Sequence, residues 1–237
     1  MIEIEQLAKS IDHTNLQPDA IEEDIRNLCI EAVKYNFAAV YVNPVFVKLA
    51  SALLKNSTVR VGTTVAFPLG ATATTVKCFE TINNVVNGAQ EIDFVINIGF
   101  LKTGKFDEFF HDLKAVVMAA KRQQIANDHR NIITKAILEC CYLSDEEIKT
   151  ACKLLTQAGV DFAKTSTGMG PYGATEKHVE LLRRNLPSTI GVKASGGIRT
   201  AQQAVNMMMA GACRIGTSAG VAIIKEYMAE SQAVETK

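Results

Sequence analysis

Gly191-Val-Lys-Ala-Ser-Gly-Gly-Ile-Arg-Thr200-Ala-Gln-Gln-Ala-Val-Asn-Met-Met-Met-Ala210-Gly-Ala-Cys-Arg-Ile-Gly-Thr217 reads as one complete β-turn-α-turn-β unit. Gly191–Ser195 and Cys213–Thr217 are short β-type runs, and Thr200–Ala210 is a helical run closed by Gly211. The same cadence extends outward to both ends of the chain. Further strands are predicted at Ile11–Asn15, Ala38–Asn43, Val59–Phe67, Glu91–Ile98, Ile132–Cys140 and Asp161–Ser166. Helices are predicted at Asp19–Tyr35, Thr72–Asn87, Phe106–Ile125, Ser144–Gln157, Thr175–Arg184 and Ser218–Ala229. Ser144-Asp-Glu-Glu147 is a capping box, and Gly88 and Gly159 stand where helices want a left-handed residue. Eight β-then-α units without a linker or a shift in composition predict an α/β fold. The expected form is a single (β/α)8 TIM barrel of parallel strands over residues 1–237. An open doubly wound sheet would usually begin with a Gly-rich first turn, and Asp12-His-Thr-Asn-Leu-Gln-Pro is not one.

Composition narrows the function. The chain has 237 residues, ample for one large core, and 25 Lys+Arg balance 25 Asp+Glu, which argues against a general nucleic-acid binder. No stretch approaches the roughly 18 uninterrupted apolar residues of a spanning helix, so no membrane partner is expected. Met1-Ile-Glu-Ile-Glu-Gln6 carries acid where a signal peptide would carry Lys or Arg. Cys29, Cys78, Cys140, Cys141, Cys152 and Cys213 lack metal-ligand spacing and read as small, reduced core residues of a cytoplasmic protein. His13, His111, His129 and His178 are scattered, so no metal site is expected.

Four predicted strands break the apolar pattern with one charge each: Ile92-Asp93-Phe94, Thr134-Lys135-Ala136, Ala163-Lys164-Thr165 and Val192-Lys193-Ala194. A charge packed against the helix layer would be very costly, so all four should point into the barrel lumen. One reading is a purely stabilising ion-pair network. Three lysines against one aspartate balance poorly, however, and the surplus positive charge favours a second reading. A neighbouring ammonium and burial both lower a lysine's pKa, and a free amine is what attack on a carbonyl requires. Lys164 and Lys193 lie on neighbouring predicted strands, just below the polar loops that follow them.

Ser195-Gly-Gly-Ile-Arg-Thr200 follows the seventh strand and Gly216-Thr-Ser-Ala-Gly220 the eighth. In many barrels these two loops and a helix N-terminus bind phosphate, which makes Gly196, Gly197, Gly216, Thr217 and Ser218 candidate contacts. Read separately, Gly-Gly can be only a tight turn and Thr-Ser only a helix cap.

On Ile11-Asp-His-Thr-Asn-Leu16, Val61-Gly-Thr-Thr-Val-Ala-Phe-Pro-Leu-Gly70, Glu91-Ile-Asp-Phe-Val-Ile-Asn97, Ala163-Lys-Thr-Ser-Thr-Gly168 and Val192-Lys-Ala-Ser-Gly-Gly-Ile-Arg199, the chain resembles the deoxyribose-phosphate aldolase family over essentially its whole length. The resemblance implies a class I aldolase without metal or other cofactor. Its reaction would interconvert 2-deoxy-D-ribose 5-phosphate with acetaldehyde and D-glyceraldehyde 3-phosphate. It implies Lys164 as the Schiff-base lysine, Lys193 as the second lysine that depresses the first one's pKa, and Asp93 as a proton-relaying carboxylate. Asp12 and Thr167 are implied as partners of substrate hydroxyls, Gly168, Gly197 and Ser218 as phosphate contacts, and Lys135 as an electrostatic support. Three positions depart from the family pattern. Tyr41 stands where many members have cysteine, which implies better tolerance of acetaldehyde. Met169 stands where some have lysine, which implies weaker discrimination for phosphate. No tyrosine follows Tyr227, so a tail tyrosine that some members use in proton transfer is not expected.

Alternatives remain at this level. Another lysine-dependent enzyme of the fructose-bisphosphate aldolase or transaldolase kind would share the chemistry of Lys164, and a silent sugar-phosphate binder could share the fold. Barrels of this type often dimerise through exposed helix faces, which leaves a homodimer or a homotetramer open; the sequence does not fix the assembly. Met207-Met-Met209 reads as helix packing, His13 as a structural hydrogen-bonder, Cys140-Cys141 as a buried pair and Glu139 as a partner for lumen lysines.

Overall fold

The fold was analysed in a computed structural model that describes residues 2–126 and 131–235; His129 and the last two tail residues lie outside that set. Among the described residues eight strands form a closed parallel barrel in sequence order. They are β1 (Ile11–Asn15), β2 (Ala39–Val42), β3 (Arg60–Val65), β4 (Glu91–Val95), β5 (Ile133–Ile137), β6 (Phe162–Lys164), β7 (Gly191–Ser195) and β8 (Arg214–Thr217). β8 pairs back onto β1 with Asp12 opposite Gly216, which closes the ring. Around it run α1 (Ile4–Ser10), α2 (Glu22–Lys34), α3 (Val47–Leu53), α4 (Thr74–Val86), α5 (Ile98–Lys102), α6 (Phe106–Ala126), α7 (Asp145–Ala158), α8 (Glu176–Asn185), α9 (Ala201–Met209) and α10 (Gly220–Glu235).

The strand period of two creates two compartments. Val40 and Val42, Ile92 and Phe94, Val192 and Ala194 all join the apolar layer between sheet and helices. Their alternates therefore face the lumen. Helix ends follow local chemistry. Ser144 accepts from the Glu147 N–H, the Glu147 carboxylate accepts from the Ser144 N–H, and Gly159 ends α7 at φ 79°. Such a cap contributes about 1 kcal/mol.

The structure departs from the sequence reading at strand ends and in short helices. β3 stops at Val65 and β5 at Ile137, because Ala66 and Glu139 turn to φ 54° and carry the chain out of the barrel. α1, α3 and α5 were not anticipated, each being too short for a helical period to stand out. The cysteines divide: Cys29, Cys140 and Cys152 are core residues, Cys78 and Cys141 are half-buried, and Cys213 is exposed. Cys140-Cys141 is thus not a fully buried pair, and of the three methionines Met209 is exposed rather than packed.

α4 is inverted. Its inward face carries Lys77, Thr81 and Asn84, whereas Val76, Phe79, Ile82 and Val86 are exposed. Lys77 donates to Asp112 on α6 at 2.6 Å and to the Val95 carbonyl at the end of β4 at 3.0 Å. Burial pulls the pKa of Lys77 down against the attraction of Asp112. Asp112→Ala should therefore destabilise the protein by about 3–5 kcal/mol in chemical denaturation, because it strands a buried ammonium. Replacing Lys77 and Asp112 together by apolar residues should recover most of that loss.

Candidate active site

The parallel register gathers the charges. Asp93 on β4 lies opposite Lys135 on β5, Lys164 on β6 opposite Lys193 on β7, and Lys193 opposite Arg214 on β8. Asp93, Lys135, Lys164 and Lys193 all point into the lumen, where the anomalous charges of the sequence placed them. Asp93 is the hub. Its Oδ2 accepts from Lys164 Nζ at 2.9 Å and from Lys193 Nζ at 2.7 Å, while Lys135 Nζ lies 3.4 Å from Oδ1.

The expected imbalance of three lysines against one aspartate needs correction. Asp12 and Glu91 are also buried here, and so is most of Arg214. Asp12 Oδ2 lies 2.6 Å from Lys193 Nζ and its Oδ1 pairs with Arg214. Glu91 accepts from Lys135 and, at 2.9 Å, from Arg214. Among the described residues the cluster thus holds three carboxylates and four cations. Glu91 was legible, since it precedes Asp93 by two residues and shares its face of the strand. Arg214 alternates with Gly216 in the same way, but a single charge at the first residue of a strand does not stand out in the sequence.

Charge states follow from these contacts. Burial alone would raise the Asp93 pKa, but Lys164, Lys193 and Lys135 outweigh it and hold the carboxyl well below its ordinary range. Asp12 is lowered for the same reason, burial being outweighed by Arg214, Lys193 and Lys135. Lys135 is raised, because Glu91, Asp93 and Asp12 overcome its burial. Lys193 goes the other way. Burial, helped by the neighbouring Lys164 and Lys135 ammoniums, brings it down to about 8 although Asp12 and Asp93 resist.

Tyr41 on β2 is the fourth lumen residue that charge-counting missed, after Asp12, Glu91 and Arg214. Its hydroxyl lies 2.7 Å from Asp93 Oδ1 and 2.9 Å from Glu91 Oε2, and it receives a hydrogen bond from Lys135. Its ring lies 3.6 Å beneath Lys193 Nζ. An aromatic residue inside a strand is too common to announce such a role.

Above the cluster opens a cavity of about 590 Å³. Thr167, Gly168, Gly196, Gly197, Gly216, Thr217 and Ser218 line it, as does Lys164; Lys193 and Lys135 do not. Gly196 and Gly197 have φ of 88° and 81°, which glycine adopts without strain. A Cβ on Gly196 would lie 2.9 Å from the Gly173 backbone, so the two loops can touch only through glycine. α10 starts just beyond Ser218 and directs its N-terminus towards this rim, where backbone N–H groups suit an anion.

Two placements differ from expectation. Asp12 is fully buried as a counter-charge and is not on the cavity wall, because Lys193 and Arg214 claim its oxygens. Glu139 does not reach the lysines. It turns away at the end of β5 and accepts from the Thr167 N–H at 3.2 Å and from its hydroxyl, which braces the loop after β6. His13 Nε2 pairs with Glu31 at 2.7 Å, in line with a structural role.

A family model described as DeoC/LacD family aldolase matches residues 6–226. The chain is 49% identical over 225 residues to a deoxyribose-phosphate aldolase of Carboxydothermus hydrogenoformans, covering 95% of this chain and 96% of that one. It is 50% identical over 221 residues to a deoxyribose-phosphate aldolase of Thermococcus gammatolerans, covering 92% and 95%. The tetrameric deoxyribose phosphate aldolase of Aeropyrum pernix superposes with a TM-score of 0.87 at 33% identity, covering 96% and 93% of the two chains.

Because Asp93 is one of the two carboxylates that hold the Lys193 pKa up, Asp93→Asn should push it below about 8. Titration of isotope-labelled lysine side chains by NMR checks this. A midpoint that stays put would show that Asp93 does not set the charge of Lys193.

Proposed function

The chain belongs to the DeoC/LacD family of aldolases, and from that premise we propose that it reversibly cleaves 2-deoxy-D-ribose 5-phosphate to D-glyceraldehyde 3-phosphate and acetaldehyde through a Schiff base on Lys164. One observation carries the choice of lysine. Of the three lumen lysines, Lys164 is the one on the cavity wall, so its Nζ can meet a bound carbonyl carbon.

The steps follow from the contacts. The Lys164 ammonium loses its proton towards the Lys193 side, by way of the Asp93 oxygen that both amines share. The free amine adds to C1 of the open-chain sugar, and the carbinolamine's hydroxyl takes up a proton and leaves as water, which gives an iminium. Loss of the 3-hydroxyl proton breaks the C2–C3 bond. C3 becomes the aldehyde carbon of glyceraldehyde 3-phosphate, and the bonding pair stays on C2 as an enamine. Protonation at C2 and hydrolysis release acetaldehyde and restore the lysine. Lys193, poised near 8, is suited to carry these protons, while Asp93 takes each one up only in passing and hands it between the amines, returning to the anion its low pKa favours. Asp12, Lys135, Glu91 and Arg214 hold the floor electrostatically. The iminium is itself the electron sink, so the scheme calls for no metal or other cofactor.

The glycine-lined rim takes the phosphate through backbone N–H groups and the start of α10, with Arg199 adding positive charge at the cavity edge. Thr167, fixed by Glu139, meets a substrate hydroxyl. Residues 1–237 act as one such domain. Six unpaired cysteines, and the lack of any helix among the described residues long and apolar enough to cross a membrane, fit a cytoplasmic setting. The inverted helix α4 supports self-association. Its exposed Val76, Phe79, Ile82 and Val86 form an uncharged apolar row, which a second copy of the chain can cover across a two-fold axis without opposing like charges.

Kinetics with this substrate test the reading. Lys164→Met should lower kcat on the order of 10⁴-fold or more, Lys193→Met by about 10²-fold or more, and a chelator should change nothing. A Lys164→Met enzyme near wild-type activity, or activity with dihydroxyacetone phosphate but not acetaldehyde as donor, would refute it. Phe79→Asp should turn the assembly into monomers in light scattering; an unchanged mass would place the interface elsewhere.

A further inference from the structure

The scheme above leaves Tyr41 unused, although its hydroxyl is committed wholly to the charged cluster. We propose that Tyr41 is a positioning residue for the aldol reaction: its hydroxyl pins Asp93 Oδ1 so that Oδ2 is presented to Lys164 and Lys193 together. The inference rests on the reading of Asp93, Lys164 and Lys193 as the reacting group.

The hydrogen-bond accounting identifies the direction. Tyr41 has one proton to give and two carboxylates in reach, Asp93 at 2.7 Å and Glu91 at 2.9 Å. Glu91 Oε2 already accepts from Lys135 and Arg214, so the phenol's proton goes to Asp93 Oδ1. Its oxygen in turn accepts from Lys135. With Oδ1 held, Oδ2 is the acceptor shared by Lys164 and Lys193. Rotation about the carboxylate's terminal bond is soft. Without the phenol, Lys135 at 3.4 Å is the neighbour that would capture Oδ1 and turn the group.

The surroundings are shaped for this side chain. Tyr41 is 1% exposed and off the cavity wall, so it acts through Asp93 and not on substrate. Its ring face lies 3.6 Å from Lys193 Nζ, a cation–π contact that fixes the second amine over the same side chain. On β3, Gly62 supplies the space: a Cβ there would fall 2.3 Å from Tyr41 Cζ. Burial and the charges of Asp93, Glu91 and Asp12 raise the phenol's pKa well above its ordinary value, so it remains a donor across the working pH range.

Tyr41→Phe removes the hydroxyl and keeps the ring over Lys193 and beside Gly62. It should lower kcat about tenfold and leave KM for the sugar phosphate within about twofold. In an Asp93→Asn background the same change should cost nothing further, because the group it positions is gone. An unchanged kcat, a KM that rises in step, or an equal loss in both backgrounds would overturn the proposal. Borohydride with acetaldehyde should inactivate wild type. If it does not, the Schiff-base reading falls and this inference with it. If wild type is trapped and Tyr41→Phe behaves as wild type, only the inference falls.

Discussion

The Asp93 carboxylate, gripped on one oxygen by two lysine ammoniums, is the contact on which the rest of the site depends. Removing seven charged side chains from water is tolerable only when each finds opposite charge and hydrogen bonds at short range. The lumen meets that condition through three carboxylates and four cations bridging β1, β4, β5, β6, β7 and β8. The carboxylates are outnumbered, and the shortfall is not shared evenly. Lys135 has Glu91, Asp93 and Asp12 about it and is held charged. Lys193, buried and pressed by two ammoniums, is the member brought down to about 8, where protons can come and go near neutral pH.

The barrel converts this cluster into a site by layering. Outward-facing Val40, Ile92, Phe94, Val192 and Ile215 fix β2, β4, β7 and β8 against the helices, so the inward alternates have little freedom to drift. The charged layer forms a closed floor, and the loops after β6, β7 and β8 form a polar, glycine-rich rim above it. Lys164 belongs to both, bonded to Asp93 below and open to the cavity above. That division leaves one lysine facing the cavity and keeps the other charged groups beneath it. It also gives Glu139 a purpose that its strained backbone suggests: the carboxylate holds Thr167 in the rim while the chain leaves β5.

Much of this was legible before any coordinates. Charges set in otherwise apolar strands are anomalies that physics must explain, and Asp93, Lys135, Lys164 and Lys193 stood out for that reason. β1 and β7 were delimited to the residue because polar turns bound them closely. What remained hidden depended on register. Asp12 and Arg214 are 202 residues apart and meet only because β8 closes on β1, which local periodicity does not encode. Asp12 was therefore expected to meet a substrate hydroxyl. Tyr41 was noted as unusual by its type, yet its contacts with Asp93 and Lys193 arise from closure of the lumen. Glu139 was assigned to the lumen because the strand appeared longer than it is; a left-handed turn redirected it.

The central claim is that one wall lysine forms the carbon–nitrogen bond while a second, more deeply buried lysine manages its protons. Reduction of the enzyme with borohydride in the presence of acetaldehyde, followed by peptide mapping in a mass spectrometer, tests it most directly. The account predicts a single ethylated residue, Lys164. Ethylation of Lys193 instead, or an equal mixture of the two, would contradict it.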